Sequence, residues 1–136
     1  MAWPESIRRA HIALAVLAVT ILVASVVPVP SATPQTDPTG SVDTTTLFHI
    51  AGYAALAAGG VVAIARNPQA GQQHRHRRLL VSSITVVAVA LFGVGTELLQ
   101  GIIPWRTRAV AEMGLNAASA VGGGLLATMW FYRPVQ

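Results

Sequence analysis

Apolar residues fall in four long runs separated by three short polar connections. The runs extend from His11 to Val29, from about Thr46 to Ala65, from about Leu79 to Ile103 and from about Ala109 to Phe131. Each comes close to, or exceeds, the ~20 residues a helix needs to cross the hydrocarbon of a bilayer. Val and Ile are frequent in them, yet the runs are far too long for strands. A helix also satisfies its own backbone groups in lipid, which an isolated strand cannot do. The pattern predicts an all-α fold. It is an integral membrane bundle of four transmembrane helices (11–29, 46–65, 79–103 and 109–131) in one domain over residues 1–136.

The first run has a second reading. Arg8 and Arg9 precede it, and Val23-Ala24-Ser25 resembles a signal-peptide cleavage site. Its apolar stretch is longer than the ~7–15 residues of a signal core, so it is read as a retained span.

The connections differ in charge. Residues 30–45 are rich in Pro, Thr and Asp and carry no basic residue, whereas residues 66–78 (RNPQAGQQHRHRR) are strongly basic and residues 104–108 (PWRTR) form a tight turn. All nine basic residues are Arg. In a four-span arrangement Arg8, Arg9, Arg66, Arg75, Arg77, Arg78 and Arg133 share one side, and only Arg106 and Arg108 lie on the other. Positive charge stays on the cytoplasmic side of short loops, so both termini and the 66–78 loop are expected in the cytoplasm of a multi-pass cell-membrane protein. Trp3, Trp105, Trp130 and Tyr132 fall near the span ends, where interfacial aromatics belong.

Composition agrees with the pattern. The chain is 53% apolar and 10% charged, against about 25% charged for soluble domains. The net charge of +4 does not point to nucleic acid, because the Arg residues flank apolar runs. With no Cys, disulfides, thiol chemistry and Cys-ligated metals are excluded.

The candidate chemistry lies in the few polar residues inside the runs. An ionised group at mid-span costs ~2.5–3.5 kcal/mol on insertion scales, so such residues usually serve a purpose. The second run carries His49 and Tyr53, the third Glu97 and Gln100, and the fourth Glu112, Asn116 and Ser119. At roughly 100° per residue, Gly93, Glu97 and Gln100 form one stripe, and Glu112, Asn116, Ser119 and Gly123 form another. His49, Gly52 and Leu56 make a third stripe with Tyr53 at its margin. Gly114, Ala118 and Gly122 form a ridge of small residues on the opposite side of the last helix, which predicts close helix packing there. The topology places the polar stripes and the 104–108 turn, with Arg106 and Arg108, at one depth near the outer leaflet.

Two Glu, two Arg and a neutral His sum to zero charge, so the group can be read as a structural network that fixes helix register. The sharper reading is an outward-facing pocket for a polar headgroup, with Arg106 or Arg108 holding an anion and Glu97, Glu112 or His49 handling protons or hydroxyls. A catalytic version of that pocket stays open. A metal on His49, Glu97 and Glu112 is chemically admissible, since imidazole and carboxylate suit Zn²⁺. No short-range ligand pair such as HExxH is present, and QHRHRR is more simply a basic loop facing anionic lipid. Neither a metal nor a cofactor is therefore expected. The candidate binding residues are His49, Tyr53, Glu97, Gln100, Arg106, Glu112 and Asn116.

The segment from Gly93 to Gly124 (GVGTELLQGIIPWRTRAVAEMGLNAASAVGGG) resembles the VanZ-like family of membrane proteins. The resemblance rests on Glu97 and Gln100, then Pro104 and Arg106, then Glu112 where the family usually has Asp, then Asn116 and the Gly-rich run that includes Gly123. Upstream, His49 and Tyr53 match the second half of a helix-start motif whose Asp-Lys is replaced here by Thr45 and Thr46. Ser119 stands where Gly is frequent. The matching region covers about residues 43–126. The resemblance implies a membrane bundle with a site formed by these residues, and an envelope role of the kind associated with glycopeptide resistance. The expected partners are membrane lipids and a lipid-linked or cell-surface ligand. The alternatives are a membrane enzyme acting on such a substrate and a purely structural or partner-binding membrane protein.

Overall fold

The computed structural model describes residues 4–28, 44–67, 75–104 and 110–133. These residues form four α-helices: α1 (Glu5–Val26), α2 (Thr44–Ala65), α3 (Arg75–Gln100) and α4 (Val110–Phe131). Among the described residues there is no strand. Most of the 30–45 and 66–78 connections, and residues 105–109 with Trp105, Arg106 and Arg108, lie outside the described residues.

Helix ends depart from the edges of the apolar runs for local reasons. The first helix begins at Glu5 rather than His11. Pro4 precedes it and its carbonyl accepts the amides of Ile7 and Arg8 at 3.0 and 3.1 Å. Glu5 and Arg9, one turn apart, pair at 2.5 Å. The same helix stops at Val26, three residues short of the expected Val29. Val27 is extended at φ −71° and ψ 135°, because the ring of Pro28 disfavours helical geometry in the residue before it. α3 starts at Arg75, four residues before the apolar run, and takes the basic residues Arg75, Arg77 and Arg78 into its first turn. It ends at Gln100, and the chain tightens through Ile102 N–H to Leu99 O (3.2 Å) and Ile103 N–H to Gln100 O (3.0 Å). Glu97 and Gln100 therefore lie in the last turn of α3, closer to its end than the apolar run suggested.

The helices α1, α2 (from Thr45) and α3 are long and apolar enough to cross a membrane. At 22 residues α4 is as long as α1, but Glu112, Asn116, Ser119, Thr128 and four glycines (Gly114, Gly122, Gly123 and Gly124) dilute its apolar character. α2 and α4 pack most extensively, α3 lies against both, and α1 covers α2 and part of α3. The buried apolar core is small: Ile21, Tyr53, Leu56, Ala57, Val89 and Ala120. The outside is strongly apolar instead, with Phe48, Leu126 and Ile102 exposed by 72, 71 and 78%. Polar residues occupy the inside, Glu97 at 0% and Asn116 at 1% exposure. An apolar exterior around a polar interior is compatible with a bundle solvated by lipid.

Close packing of α4 runs along a different line from the expected ridge. Gly114 and Ala118 are exposed, and a Cβ at Gly114 or Gly122 would meet nothing within 4 Å. Contact is made by Gly123, where an added Cβ would collide with the Ala54 backbone of α2, and by Gly124, where it would collide with Val86 of α3. The same polar stripe that carries Asn116 turns this side of α4 inward, so the ridge on its other side points away from the bundle.

Candidate functional site

At one end of the bundle the end of α1, the start of α2, the end of α3 and the start of α4 bring their polar residues together. On α3, Gly93, Thr96, Glu97 and Gln100 are all buried, as the i, i+3, i+4, i+7 spacing of a single face requires. The inward face of α2 centres on Tyr53, which is fully buried. It runs from His49 through Tyr53, Leu56 and Ala57 to Gly60 and Val61. This corrects the expected register by one residue. Gly52 instead faces α1, where a Cβ would lie 3.1 Å from Ile21 Cδ1.

Glu97 is the centre of the cluster. Asn116 Nδ2 donates to its Oε1 at 3.2 Å, and His49 Nδ1 lies 3.8 Å from the same oxygen. Glu112, half-buried in the first turn of α4, completes a group in which the ligating atoms of His49, Glu97 and Glu112 all lie within 4.8 Å of one another. Gln100 points toward α1 and donates from Nε2 to the Ser25 carbonyl at 2.9 Å. Tyr53 forms the floor. Its hydroxyl is 2.5 Å from Thr96 Oγ1, and Thr96 donates its own hydrogen to the Gly93 carbonyl at 2.8 Å, so Tyr53 is the donor of the pair. The Tyr53 ring meets His49 and Phe92 edge-on, at centroid distances of 6.1 and 6.0 Å.

Six of the seven candidate residues are thus placed, all in or beside one cluster: His49, Tyr53, Glu97, Gln100, Glu112 and Asn116. Arg106 lies outside the described residues. Two participants escaped the sequence reading. Ser25 is fully buried, with Oγ 3.4 Å from His49 Nε2. Thr96 is the partner of Tyr53. Both carried a usable signal. Ser25 is the polar residue in the last turn of the first helix, at the depth of His49. Thr96 shares the face of Gly93, Glu97 and Gln100.

The line Ser25–His49–Glu97 has the order of nucleophile, base and orienting acid, but not the state of one. The Ser25 hydroxyl donates to the Ile21 carbonyl at 2.8 Å, and its side chain is enclosed. Its proton is directed to the α1 backbone and not to the imidazole, which a serine nucleophile requires. The cluster brings carboxylate, imidazole and carboxamide groups together in one place.

The other end of the bundle carries the Arg residues that the described part retains. Arg75 Nη2 donates to the Tyr132 carbonyl at 3.0 Å and Arg78 Nη2 to the Ala65 carbonyl at 2.5 Å. Arg66, Arg78 and Arg133 lie over the rings of Phe131, Tyr132 and Trp130 at 5.5, 5.3 and 5.1 Å. Between α1 and α2 on this side is a groove of about 330 Å³, lined by Ser6, Ile7, Leu14, Gly59 and Arg66 among others.

No family model matches the chain, and searches of curated proteins and of solved structures find no match either.

Proposed function

We propose that this chain is a VanZ-like, multi-pass membrane protein of the cell envelope, and that it binds a polar lipid headgroup or lipid-linked ligand in a pocket opening to the outer leaflet. In this reading α4 spans the membrane together with α1, α2 and α3, and both termini are cytoplasmic. The basic end of the bundle, where seven Arg residues gather, faces the cytoplasm. The observation that carries the reading is the convergence of His49, Glu97, Glu112 and Asn116 at the end opposite to those Arg residues. Carboxylates inside an apolar bundle are costly to place, and they mark sites more often than staples. A binding role is favoured over a serine-based enzyme because the Ser25 hydroxyl donates to its own helix.

Two measurements test this. The chain has no native Cys, so single Cys substitutions report topology cleanly. Gly101→Cys at the acidic end should react with a membrane-impermeant thiol reagent in intact cells, and His76→Cys at the basic end should not. The reverse labelling would overturn the orientation. Native mass spectrometry of the purified protein should show a co-purifying lipid. Glu112→Gln, at the half-buried rim, should lose that lipid while keeping its melting temperature. A drop in melting temperature with unchanged lipid content would overturn the pocket in favour of a structural network.

A further inference from the structure

We infer that His49, Glu97 and Glu112 form a binding site for a divalent transition cation of the zinc type. The inference needs the donor cluster and not the headgroup reading.

Three observations carry it. The first is the donor set. One imidazole and two carboxylates, supplied by three different helices, bring their ligating atoms within 4.8 Å of one another. A tetrahedral cation ~2.0–2.1 Å from each ligand holds them about 3.4 Å apart, so modest closure of the Glu112 side chain completes the site. Glu112 is the ligand able to make that movement, being half-buried in the first turn of α4, whereas His49 and Glu97 are held in the interior. The 3.8 Å between His49 Nδ1 and Glu97 Oε1 already suits a bridging ion.

The second observation is the orientation of the imidazole. Ser25 Oγ gives its hydrogen to the Ile21 carbonyl, so toward His49 Nε2 it presents only lone pairs. An N–H at Nε2 therefore finds an acceptor in Ser25, and Nδ1 faces Glu97 Oε1 at 3.8 Å. Metal-ligating histidines are fixed in this way, the distal N–H donating to a fixed oxygen that sets tautomer and ring angle. Asn116 does the same for Glu97, donating to Oε1 at 3.2 Å and fixing the carboxylate plane.

The third is charge. Two carboxylates this close repel each other in an apolar bundle, and a divalent cation between them cancels both charges. Three protein ligands leave a further coordination position, open to water or to an anionic oxygen. That is the arrangement of zinc sites that bind or activate a ligand, as distinct from closed structural sites. The expectation of no metal came from the lack of a local ligand motif. The three ligands are separated by 48 and 15 residues, so no short-range pattern could have shown them.

The test uses the full-length protein in detergent, stripped with chelator and titrated with Zn²⁺ or Co²⁺ alone. One equivalent of Zn²⁺ should bind and raise the melting temperature, and Co²⁺ should give the visible absorption of a low-coordinate site. Glu112→Gln, which leaves the buried core intact, should abolish both signals. Ser25→Ala, which removes only the group that orients His49, should weaken binding about 10- to 100-fold. The double variant His74→Gln/His76→Gln removes the two histidines of the QHRHRR segment and should change nothing. No stoichiometric binding, binding unaffected by Glu112→Gln, or binding lost in the His74/His76 variant would each overturn the site. Bound lipid is measured separately. Lipid without metal would refute this inference and leave the pocket standing, and metal without lipid would do the reverse.

Discussion

The two ends of this bundle both gather charged residues, and they treat them in opposite ways. At the basic end Arg75 and Arg77 are exposed, and the guanidinium groups of Arg66, Arg78 and Arg133 lie on aromatic rings. Arg75 and Arg78 also reach carbonyls at the C-terminal ends of α4 and α2, where the helix dipoles favour positive charge. Long side chains there keep their charge near water while their stems cover apolar surface. At the acidic end Glu97 has no exposure, and its neighbours His49 and Asn116 are buried with it. Surface charges of the first kind cost little and orient a protein. A buried carboxylate of the second kind is expensive, and its neighbours must be arranged around it.

The largest effect expected from this contrast is at Glu97. Replacing it with Ala removes the acceptor of Asn116 Nδ2 and the carboxylate beside His49, and it opens a void in the interior. Leaving the buried Asn116 donor without its acceptor costs about 1–3 kcal/mol, and the void adds a cavity cost to it. Reversible unfolding in detergent, or loss of folded protein on purification, should show an effect of that size. A Glu97→Ala protein as stable as the parent would mean that the acidic end is as loosely held as the basic end, and the comparison would fail.

The next effect sharpens the comparison by separating packing from charge. Gly123 touches the α2 backbone at Ala54, whereas Gly122 beside it has open space where a side chain would go. Gly123→Val should cost at least ~1–3 kcal/mol through overpacking. Gly122→Leu should stay within about ±0.5 kcal/mol of the parent, as substitutions facing away from the structure do. Melting temperatures of the two variants suffice. A larger loss at Gly122 would mean that the outer ridge of α4 is itself packed in the membrane.

The sequence made some of this legible and hid the rest for physical reasons. Four helices were readable because hydropathy over ~20 residues is a strong signal. Their ends were not, because a helix continues past the apolar run wherever polar side chains find partners, as at Arg75, and stops early where proline dictates, as at Val27. The α3 stripe was correct because Gly93, Glu97 and Gln100 fix one face by themselves. The α2 stripe was off by one residue because Gly52 is equally compatible with an inward face or with packing against Ile21 of α1. The ridge of Gly114, Ala118 and Gly122 misled because a small residue allows close approach without specifying which side is approached. Ser25 was hidden by its resemblance to part of a cleavage site, although its hydroxyl lies 3.4 Å from His49 Nε2.

The smallest effect expected is at the basic end, at Arg75. Its guanidinium donates to the Tyr132 carbonyl at 3.0 Å from an exposed position. Water replaces that bond at little cost, and exposed charged contacts of this kind contribute under about 1 kcal/mol. Arg75→Ala also leaves Arg8, Arg9, Arg66, Arg77, Arg78 and Arg133 on the same end, so the charge asymmetry on which the proposed orientation rests persists. The variant should insert with the parent's thiol-labelling pattern and unfold within about 1 kcal/mol of it. Arg78→Ala should cost more than Arg75→Ala, because Arg78 is partly buried and both donates to Ala65 and lies over the Tyr132 ring. If Arg75→Ala instead matched the loss at Glu97→Ala, the basic end would have to be a second structured polar site, and the division of labour between the two ends would collapse.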